Sequence, residues 1–528
     1  MNIILILVDS LNKEALRIYN DQTECKTPAL TDFAAKSHVF DNYFISSLPC
    51  MPARRELFSG RKEFLWRPWG PLEIFDPRLP QEIQKQGYNT AMVTDHYHYW
   101  EETANGYMES FMSLNMIRGH ETDYYELPTN GDVPKWVDKM SEFRSTYHMR
   151  QYWENVKEFK DECDFFPAKT FTAANEWLDK YADRSPFFLQ VESFDVHEPF
   201  HVPPPYDNMY TGDLEGTADD YNIWPPYQVY ADQDAFFAQT TPEELAFLKA
   251  QYYGKTTMVD IWLGKFFDKL SALNLWEDTM VVFTTDHGHD LGERGCFGKQ
   301  FPHYDSHANI PLIVWHPKSK GDGRRVSALV QNVDLFATLV EASGGKAPEN
   351  TRHSQSFLSV LDGGKEARAD LTYGTFGQGI CITDGEWTLF KAPVDGKPLY
   401  TYSTMISTPL IVDNPVDGRM GKAPPPPVDQ DQFDSTVPYP MWKTPIKIDP
   451  RTHEDFLFNR VDDPGQKKNL WHSHPEQRGR LLGLLCARMA EEGCPGEQFE
   501  RLGLDTISPL RRSDGRGEGA SENPRQRS

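Results

Sequence analysis

The stretch around which the chain is organised reads Cys50-Met-Pro-Ala-Arg-Arg-Glu-Leu-Phe-Ser-Gly-Arg61. Pro52 suits the first turn of a helix, where its missing N–H is not needed, and Gly60 suits a helix end. The sequence therefore predicts a short helix with Cys50 at its N-terminus, where free N–H groups and the helix dipole favour an anion. Arg54 follows about one turn later and can fold back toward residue 50.

Cys50 by itself is open to other interpretations. The thiol could be a buried apolar side chain, or it could be a thiolate nucleophile with a lowered pKa. A cysteine-phosphatase loop would need an arginine six positions after the cysteine. Glu56 stands at that position, so this interpretation is discounted.

Polar residues that can bind metals or transfer protons follow a series of apolar runs. Continuous apolar runs are typical of buried parallel strands, and ligands collect at the carboxyl ends of such strands in open α/β sheets. A single aspartate or histidine in such a place is more often a cap or a packing residue, but the series predicts a shared site. The runs and their polar followers are Asn2–Val8 with Asp9, Thr90–Thr94 with His96 and His98, Pro186–Ser193 with His197, and Thr279–Thr285 with Asp286 and His287.

Four sequence motifs complete the pattern, and they are Cys50-x-Pro-x-Arg54, Asp286-His-Gly288, Leu291-Gly-x-x-Gly295 with Lys299, and Ile310-Pro-Leu-Ile-Val314. Together they resemble the signature of type I, formylglycine-dependent sulfatases of the alkaline phosphatase superfamily. The branch that includes choline sulfatases and phosphonate monoester hydrolases is the nearest. The resemblance covers about residues 1 to 315 well and 370 to 490 weakly. The chain departs from the family at Ser10, where many members have a second acidic residue, and at His96, where many have a lysine.

The resemblance implies an α/β fold with a large mixed, mostly parallel sheet flanked by helices. It also implies a smaller C-terminal domain built on a short antiparallel sheet and a helix. We predict the catalytic domain at 1–365, the smaller domain at 366–505 and a disordered basic tail at 506–528. The aromatic-rich segment 100–165 has no clean period, and it is interpreted as an insertion over the site.

The resemblance also implies a metal-dependent sulfatase, a sulfuric ester hydrolase, whose nucleophile is a formylglycine made from Cys50. The metal is one divalent ion, Ca²⁺ or Mn²⁺, because oxygen ligands suit Ca²⁺ and a histidine ligand leaves Mn²⁺ possible. The expected metal ligands are Asp9, Cys50, Asp286 and His287. The expected catalytic residues are Cys50, Arg54, His98, His197 and Lys299, and the expected substrate contacts are His96, His197 and Lys299.

Two alternatives stay open. One is a phosphonate monoester or phosphodiester hydrolase of the same superfamily. The other is a non-catalytic binding protein in which Cys50 is unmodified. The sequence leaves the natural substrate, exo or endo action and the oligomeric state open.

The composition limits the partners of this 528-residue chain. Its formal net charge is -24, so a broad nucleic-acid or anionic-membrane surface is not expected. No apolar run approaches the ~20 residues of a membrane span, and no signal peptide precedes Asp9, so the sequence predicts a cytoplasmic protein. The expected partners are a small or carbohydrate sulfate ester and the enzyme that forms formylglycine.

Overall fold

The structure is a computed structural model. It describes residues 1–101, 106–224, 240–295, 297–299, 301–351, 353–364, 368–405, 427–428 and 439–504. The predicted tail at 506–528 lies outside the described residues, as does part of the predicted smaller domain. None of the helices in the described ranges combines the length and the apolar character that crossing a bilayer requires.

The strands of the described residues alternate with helices over the first two thirds of the chain. In chain order the strands are β1 (Asn2–Val8), β2 (His38–Phe44), β3 (Ser47–Leu48), β4 (Asn89–Thr94), β5 (Ser113–Met116), β6 (Phe187–Ser193), β7 (Thr279–Thr284), β8 (Asp290–Leu291), β9 (Phe297–Gly298), β10 (Leu312–Trp315), β11 (Arg325–Gln331), β12 (Leu371–Thr375), β13 (Ile380–Thr383), β14 (Trp387–Lys391), β15 (Leu399–Ser403), β16 (Pro427–Val428), β17 (Met441–Ile446) and β18 (Phe456–Asn459). The α-helices are α1 (Pro28–Ala35), α2 (Cys50–Ser59), α3 (Leu79–Gln84), α4 (His98–Glu101), α5 (Lys135–Met140), α6 (Thr146–Val156), α7 (Phe166–Tyr181), α8 (Pro242–Ala272), α9 (Asp305–Ala308), α10 (Asp334–Ala342), α11 (Leu358–Leu361), α12 (Pro475–Glu491) and α13 (Gly496–Arg501).

A large sheet with the order β11-β2-β10-β7-β1-β6-β4-β5 organises these elements. Strand β10 runs antiparallel to both of its neighbours, and the other neighbouring strands are parallel. Strand β1 lies near the centre, between β6 and β7, and all of its residues are buried. Its side chains alternate between two apolar cores, with Ile4 and Ile6 on one face and Ile3 and Leu5 on the other. The predicted mixed, mostly parallel sheet is confirmed.

Two strands of the large sheet were not predicted. The sequence interpretation ended the sheet at Leu312–Trp315, but β11 continues it by pairing in parallel with β2. Strand β5 pairs with β4 at the other edge. It lies inside the segment 100–165, so the interpretation of that segment as an insertion over the site was wrong for much of its length. Helices α5 and α6 of the same segment bury Val137, Met140 and Met149 in the apolar core instead.

The smaller sheet has the order β18-β14-β13-β12-β3. Its neighbours pair antiparallel, except that β3 pairs in parallel with β12, with Ser47 opposite Gly374. Helix α12 packs Leu481, Leu485 and Met489 into the apolar core of this sheet. The predicted short antiparallel sheet with a helix is therefore confirmed, while the domain boundaries stay predictions. Because β3 lies just before Cys50, the C-terminal part of the chain helps to position residue 50.

Candidate active site

The helix that begins at Cys50 ends as its sequence indicated. Cys50 is the first residue of α2, and Gly60 ends the helix in the left-handed conformation with φ 67°. A Cβ atom on Gly60 would meet side-chain atoms of Phe336 and Thr351 at 3.0 Å. Glycine is therefore required both by the backbone conformation and by the close packing. The turn fixes the direction of α2 and, with it, the position of Cys50.

Two strand ends and the start of α2 meet at one point. Asp9 follows β1, and Asp286 and His287 follow β7, which pairs with β1 in parallel. One ligand atom each from Asp9, Cys50, Asp286 and His287 lies within 4.8 Å of the others, and all four residues are buried. The four residues predicted as metal ligands are thus together, and their atoms could hold a metal ion.

Arg54 connects the carboxylates of this cluster. Its guanidinium donates to Asp9 Oδ2 at 2.8 Å, to Asp286 Oδ2 at 2.6 Å and, through Nε, to Glu192 Oε1 at 2.7 Å. It also donates to the backbone carbonyl of Cys50 at 3.1 Å. Burial opposes the ionisation of Asp9, but the charge of Arg54 and contacts with neighbouring cations hold its pKa well below the usual value. Arg54 is fully buried and therefore orients the start of α2 and the carboxylates.

The side chain of Cys50 lies between two nitrogen atoms. Its Sγ is 3.3 Å from His287 Nε2 and accepts a hydrogen bond from Lys299 Nζ at 3.4 Å. Burial and the nearby Asp9 carboxylate raise the pKa of the Cys50 thiol well above its usual value. Two nitrogen atoms and the Asp9 carboxylate therefore surround the side chain at position 50.

His287 has the tautomer that a metal ligand needs. Its Nδ1–H donates to the backbone carbonyl of Gly288 at 2.9 Å, so the lone pair on Nε2 points into the cluster. Burial, partly offset by Asp286, and the charge of Lys299 lower the pKa of His287 to about 4. The imidazole is therefore neutral near pH 7 and can donate its lone pair to a cation.

His197 and Lys299 lie together beside Cys50. Lys299 Nζ donates to His197 Nε2 at 2.9 Å, and His197 Nδ1 donates to the carbonyl of Glu198 at 2.9 Å. Burial and the charge of Lys299 lower the pKa of His197. The neutral form of the ring is therefore favoured, and its Nε2 accepts the hydrogen bond from Lys299. The structure thus brings these two predicted residues to the nucleophile position.

The other two predicted histidines occupy different places. His96 is fully buried, with Nε2 3.6 Å from Asp9 Oδ2, and it is not among the residues that line the adjoining cavity. Its predicted contact with substrate stays a prediction. His98 does line the cavity, and its Nε2 is 3.4 Å from Glu121 Oε2. Burial opposes the ionisation of Glu121, but His197 and His98 lower its pKa to about 2.

A cavity of about 440 Å³ opens beside Cys50, which is large enough for a small organic group. Cys50, His98, His197 and Lys299 form one side of its lining. The other lining residues include Phe64, Trp69, Phe301, Phe376, Gln378, Ile448 and Arg451. The sequence interpretation assigned none of the C-terminal residues to the site.

Sequence reasoning also missed the carboxylates that hold the predicted residues. Glu192 accepts from Arg54 and, at 2.7 Å, from the hydroxyl of Tyr99. Glu198 Oε1 is 2.8 Å from His289 Nε2. One signal was available for Glu192, since a carboxylate inside the fully buried strand β6 requires a charged partner. No comparable signal marked Glu198.

Comparisons with known proteins agree with this geometry. The family model described as "Sulfatase" matches residues 1–345. A multifunctional alkaline phosphatase superfamily protein, PehA of Trinickia caryophylli, is 26% identical over 70% of this chain and 79% of its own length. Arylsulfatase K of Canis lupus familiaris is 24% identical over 66% of this chain, which spans 64% of that relative. The crystal structure of the phosphonate monoester hydrolase of Agrobacterium radiobacter superposes with a TM-score of 0.65 at 17% identity, covering 93% of this chain and 96% of that one.

Proposed function

Because the chain belongs to the sulfatase family and is a sulfuric ester hydrolase, we propose that a formylglycine formed from Cys50 is its nucleophile. The observation that carries this proposal is the position of Cys50 at the shared point of Asp9, Asp286 and His287. The start of helix α2 at Cys50 and the contact of Lys299 with its side chain support it as well.

The donor set of the site fits a divalent cation. Two carboxylates, one neutral imidazole and residue 50 offer one ligand atom each within 4.8 Å. We propose Ca²⁺ or Mn²⁺, since carboxylate oxygens suit both ions and the nitrogen of His287 adds to the case for Mn²⁺. When bound, the cation would neutralise charge on the ester oxygens and favour an ionised hydroxyl on residue 50.

The side chains of the site hold the ligands, bind the ester and transfer protons. Arg54 holds Asp9 and Asp286 in place, while Lys299 lies where it can bind an oxygen of the ester. His197 shares a proton with Lys299, so the pair can protonate the leaving alcohol. His98 lines the same cavity and is the second candidate for this proton transfer.

Mass spectrometry of the peptide that contains residue 50 tests the proposal directly. Conversion of the CH2–SH group to an aldehyde lowers the mass by about 18 Da, and addition of water to the aldehyde gives the hydrate whose hydroxyl is the covalent nucleophile. We expect this loss in protein produced together with a formylglycine-generating enzyme, with hydrolysis of aryl sulfates in the same sample. Cys50→Ala should lower kcat by at least about a thousandfold, the scale seen when a nucleophile is removed. An unmodified Cys50 in an active enzyme would refute the nucleophile assignment.

A phosphonate monoester or phosphodiester hydrolase is the second candidate. The similarity to PehA, a multifunctional alkaline phosphatase superfamily protein, supports it. Comparing kcat/KM on aryl sulfates and on aryl phosphonate monoesters separates the two. The alternative of a binding protein without activity does not agree with membership of the sulfatase family.

We further propose a small or carbohydrate sulfate ester as the substrate. The cavity of about 440 Å³ supports a single ring-sized leaving group.

We also propose a cytoplasmic location. Fractionation of the producing cells, with the maturation enzyme followed in parallel, tests the location. Recovery of the protein outside the cytoplasm would refute it.

A further inference from the structure

The C-terminal part of the chain supplies one wall of the cavity beside Cys50. Phe376, Gln378, Ile448 and Arg451 come from this part and line the same cavity as Cys50 and Lys299. Because Lys299 contacts Cys50, the sulfuryl group of a bound ester lies next to these two residues. The C-terminal wall, which we define by Phe376, Gln378, Ile448 and Arg451, is then available to contact the alcohol part of the ester.

The wall holds the backbone of Arg451 in place. Its N–H donates to Gln378 Oε1 at 2.7 Å, and Gln378 Nε2 donates to the carbonyl of Asp449 at 3.3 Å. The turn before Gln378 packs tightly, because a Cβ atom on Gly377 would lie 2.9 Å from Ile448. The backbone at Arg451 is therefore held by the loop that carries Gly377 and Gln378, 73 positions earlier in the chain.

The charges around the cavity leave Arg451 available. Arg67 also lines the cavity, but it is paired with Glu63 and, at 2.8 Å, with Glu73. Lys299 is engaged with His197 and Cys50. Within the described ranges no carboxylate forms an ion pair with Arg451; the nearby Asp449 pairs with Lys447 at 3.6 Å. Glu121 is the one carboxylate among the described lining residues, and it is paired with His98.

We propose that Arg451 binds a second anionic group on the alcohol part of the substrate. This inference rests on the proposed function and gives its substrate class. The substrates are sulfate esters of a single ring that also carries a carboxylate or a further sulfate. A guanidinium suits such a group because its planar fork matches two oxygens of a carboxylate or sulfate. The aromatic and aliphatic side chains Phe64, Trp69, Phe376 and Ile448 enclose the ring between the two anions.

The test uses pairs of substrates that differ in one charge. One pair is 4-carboxyphenyl sulfate and its neutral 4-carbamoylphenyl analogue. The other is a methyl hexuronide 2-sulfate and the matching methyl hexoside 2-sulfate. In at least one pair we expect the wild-type enzyme to have a higher kcat/KM for the carboxylate than for its neutral analogue. A preference in the first pair indicates an aryl substrate, and a preference in the second indicates a sugar substrate. Arg451→Gln should reduce that preference in kcat/KM at least about tenfold, with the loss mainly in KM.

Lys468→Gln is the matched control, because Lys468 is an exposed cation of the C-terminal part of the chain that does not line the cavity. It should keep the wild-type preference, and Arg451→Lys should restore part of it. Dissociation constants of the same substrates for a Cys50→Ala variant, measured by calorimetry with and without Arg451→Gln, give the selectivity without turnover. An equal preference in wild type and Arg451→Gln would overturn the role of Arg451 while leaving the hydrolase intact. Failure of the wild type on all sulfate esters would instead overturn the proposed function and this inference with it.

Discussion

Neighbouring arginines of helix α2 serve two buried charge clusters of different composition. Arg54 belongs to what we call the nucleophile cluster, defined by Asp9, Cys50, Arg54, Glu192, Asp286, His287 and Lys299. Arg55 belongs to the helix-flank cluster, defined by Arg55, Arg61, Glu63, Arg67, Glu73 and Asp76. In the nucleophile cluster three carboxylates face two cations, Arg54 and Lys299. In the helix-flank cluster three arginines face three carboxylates.

This difference separates a site from a structural element. Burial of unbalanced charge is costly, and it persists in a folded protein when a ligand or metal completes the balance. The nucleophile cluster has carboxylates in excess and a neutral imidazole, so it is suited to a cation. The balanced helix-flank cluster satisfies itself and fixes the segment that follows α2. The charge count thus indicates function where burial alone does not.

The largest expected effect on stability comes from the helix-flank cluster. Glu63→Gln removes the carboxylate that lies 3.7 Å from Arg55 and 3.9 Å from Arg61 and also pairs with Arg67. Burial raises the pKa of the Glu63 carboxyl to about 7, so the comparison is made at pH 8. There we expect the free energy of unfolding to fall by about 3–5 kcal/mol, because buried arginine charge is left without its partner. Urea unfolding measures the loss. Asp179→Asn, which breaks an exposed pair with Lys269, should cost no more than about 1 kcal/mol. An equal loss in both variants would contradict the assignment.

The stabilisation that a bound metal ion gives should also distinguish the two clusters. Adding Mn²⁺ or Ca²⁺ at a hundred times its dissociation constant should stabilise the protein by about 2.7 kcal/mol, because the ion binds only the folded site. Asp286→Asn should abolish this gain in a thermal unfolding experiment, and chelation should remove the sulfatase activity of the wild type. Glu73→Gln, in the balanced cluster, should keep the gain. A gain that survives in Asp286→Asn would place the ion elsewhere.

The sequence predicted the parts of this comparison that depend on local patterns. The fully buried run Asn2–Val8 and the polar residues at the strand ends led to Asp9, Asp286 and His287. Local signals also placed the start and end of α2 at Cys50 and Gly60. The smaller sheet with its helix was predicted as well. Strand β11 was missed because its first half alternates exposed and buried residues, unlike the continuous apolar runs from which strands were predicted.

The pairing of charges was beyond the sequence for a physical reason. Arg54 and Glu192 are 138 positions apart, and no sequence feature of either segment indicates that the two side chains pair. The same holds for Lys299 and His197, which are 102 positions apart. Side-chain types at strand ends predict which chemistry is present, whereas the partner of each charge depends on the packing of strands that are distant in the chain. The C-terminal wall of the cavity is the extreme case, since Arg451 carries no motif.

A third buried pair extends the comparison to His197. Lys255 lies behind the loop that carries this histidine, donates to the carbonyls of His197 and Pro199 at 2.7 Å each, and pairs with Asp195. We propose that Lys255 is a positioning residue. Lys255→Met should lower kcat about tenfold, because a displaced histidine loses proton-transfer efficiency.

The pH profile separates positioning from stability. Lys255→Met should change the pH dependence of kcat, while Lys255→Arg should recover part of the activity by donating to the same carbonyls. A lower unfolding temperature with an unchanged pH profile would show that Lys255 only stabilises the loop.

The smallest expected effect distinguishes two buried carboxylates by the sign of their pH dependence. Glu56 is fully buried and accepts from the N–H of Ser47 at 3.0 Å and of Glu63 at 3.1 Å; burial raises its pKa from 4.5 to about 7. The folded state therefore keeps a proton on Glu56 that the unfolded state loses above pH 4.5. Its stabilising effect is complete below pH 4.5 and is lost as the pH rises toward 7, by at most about 1.4 kcal/mol per pH unit. Asp9, whose pKa is held low chiefly by Arg54 against the effect of burial, has the opposite sign and loses its contribution only at acidic pH.

Glu56→Gln tests this sign, because glutamine keeps the shape of the protonated acid but cannot ionise. Relative to wild type, the variant should become progressively more stable between pH 5 and pH 7 in urea unfolding. A difference that does not change with pH would mean that Glu56 is ionised in the folded protein throughout this range. The helix-flank side of α2 would then hold one more negative charge than its arginines balance. Charge balance would no longer distinguish it from the nucleophile cluster.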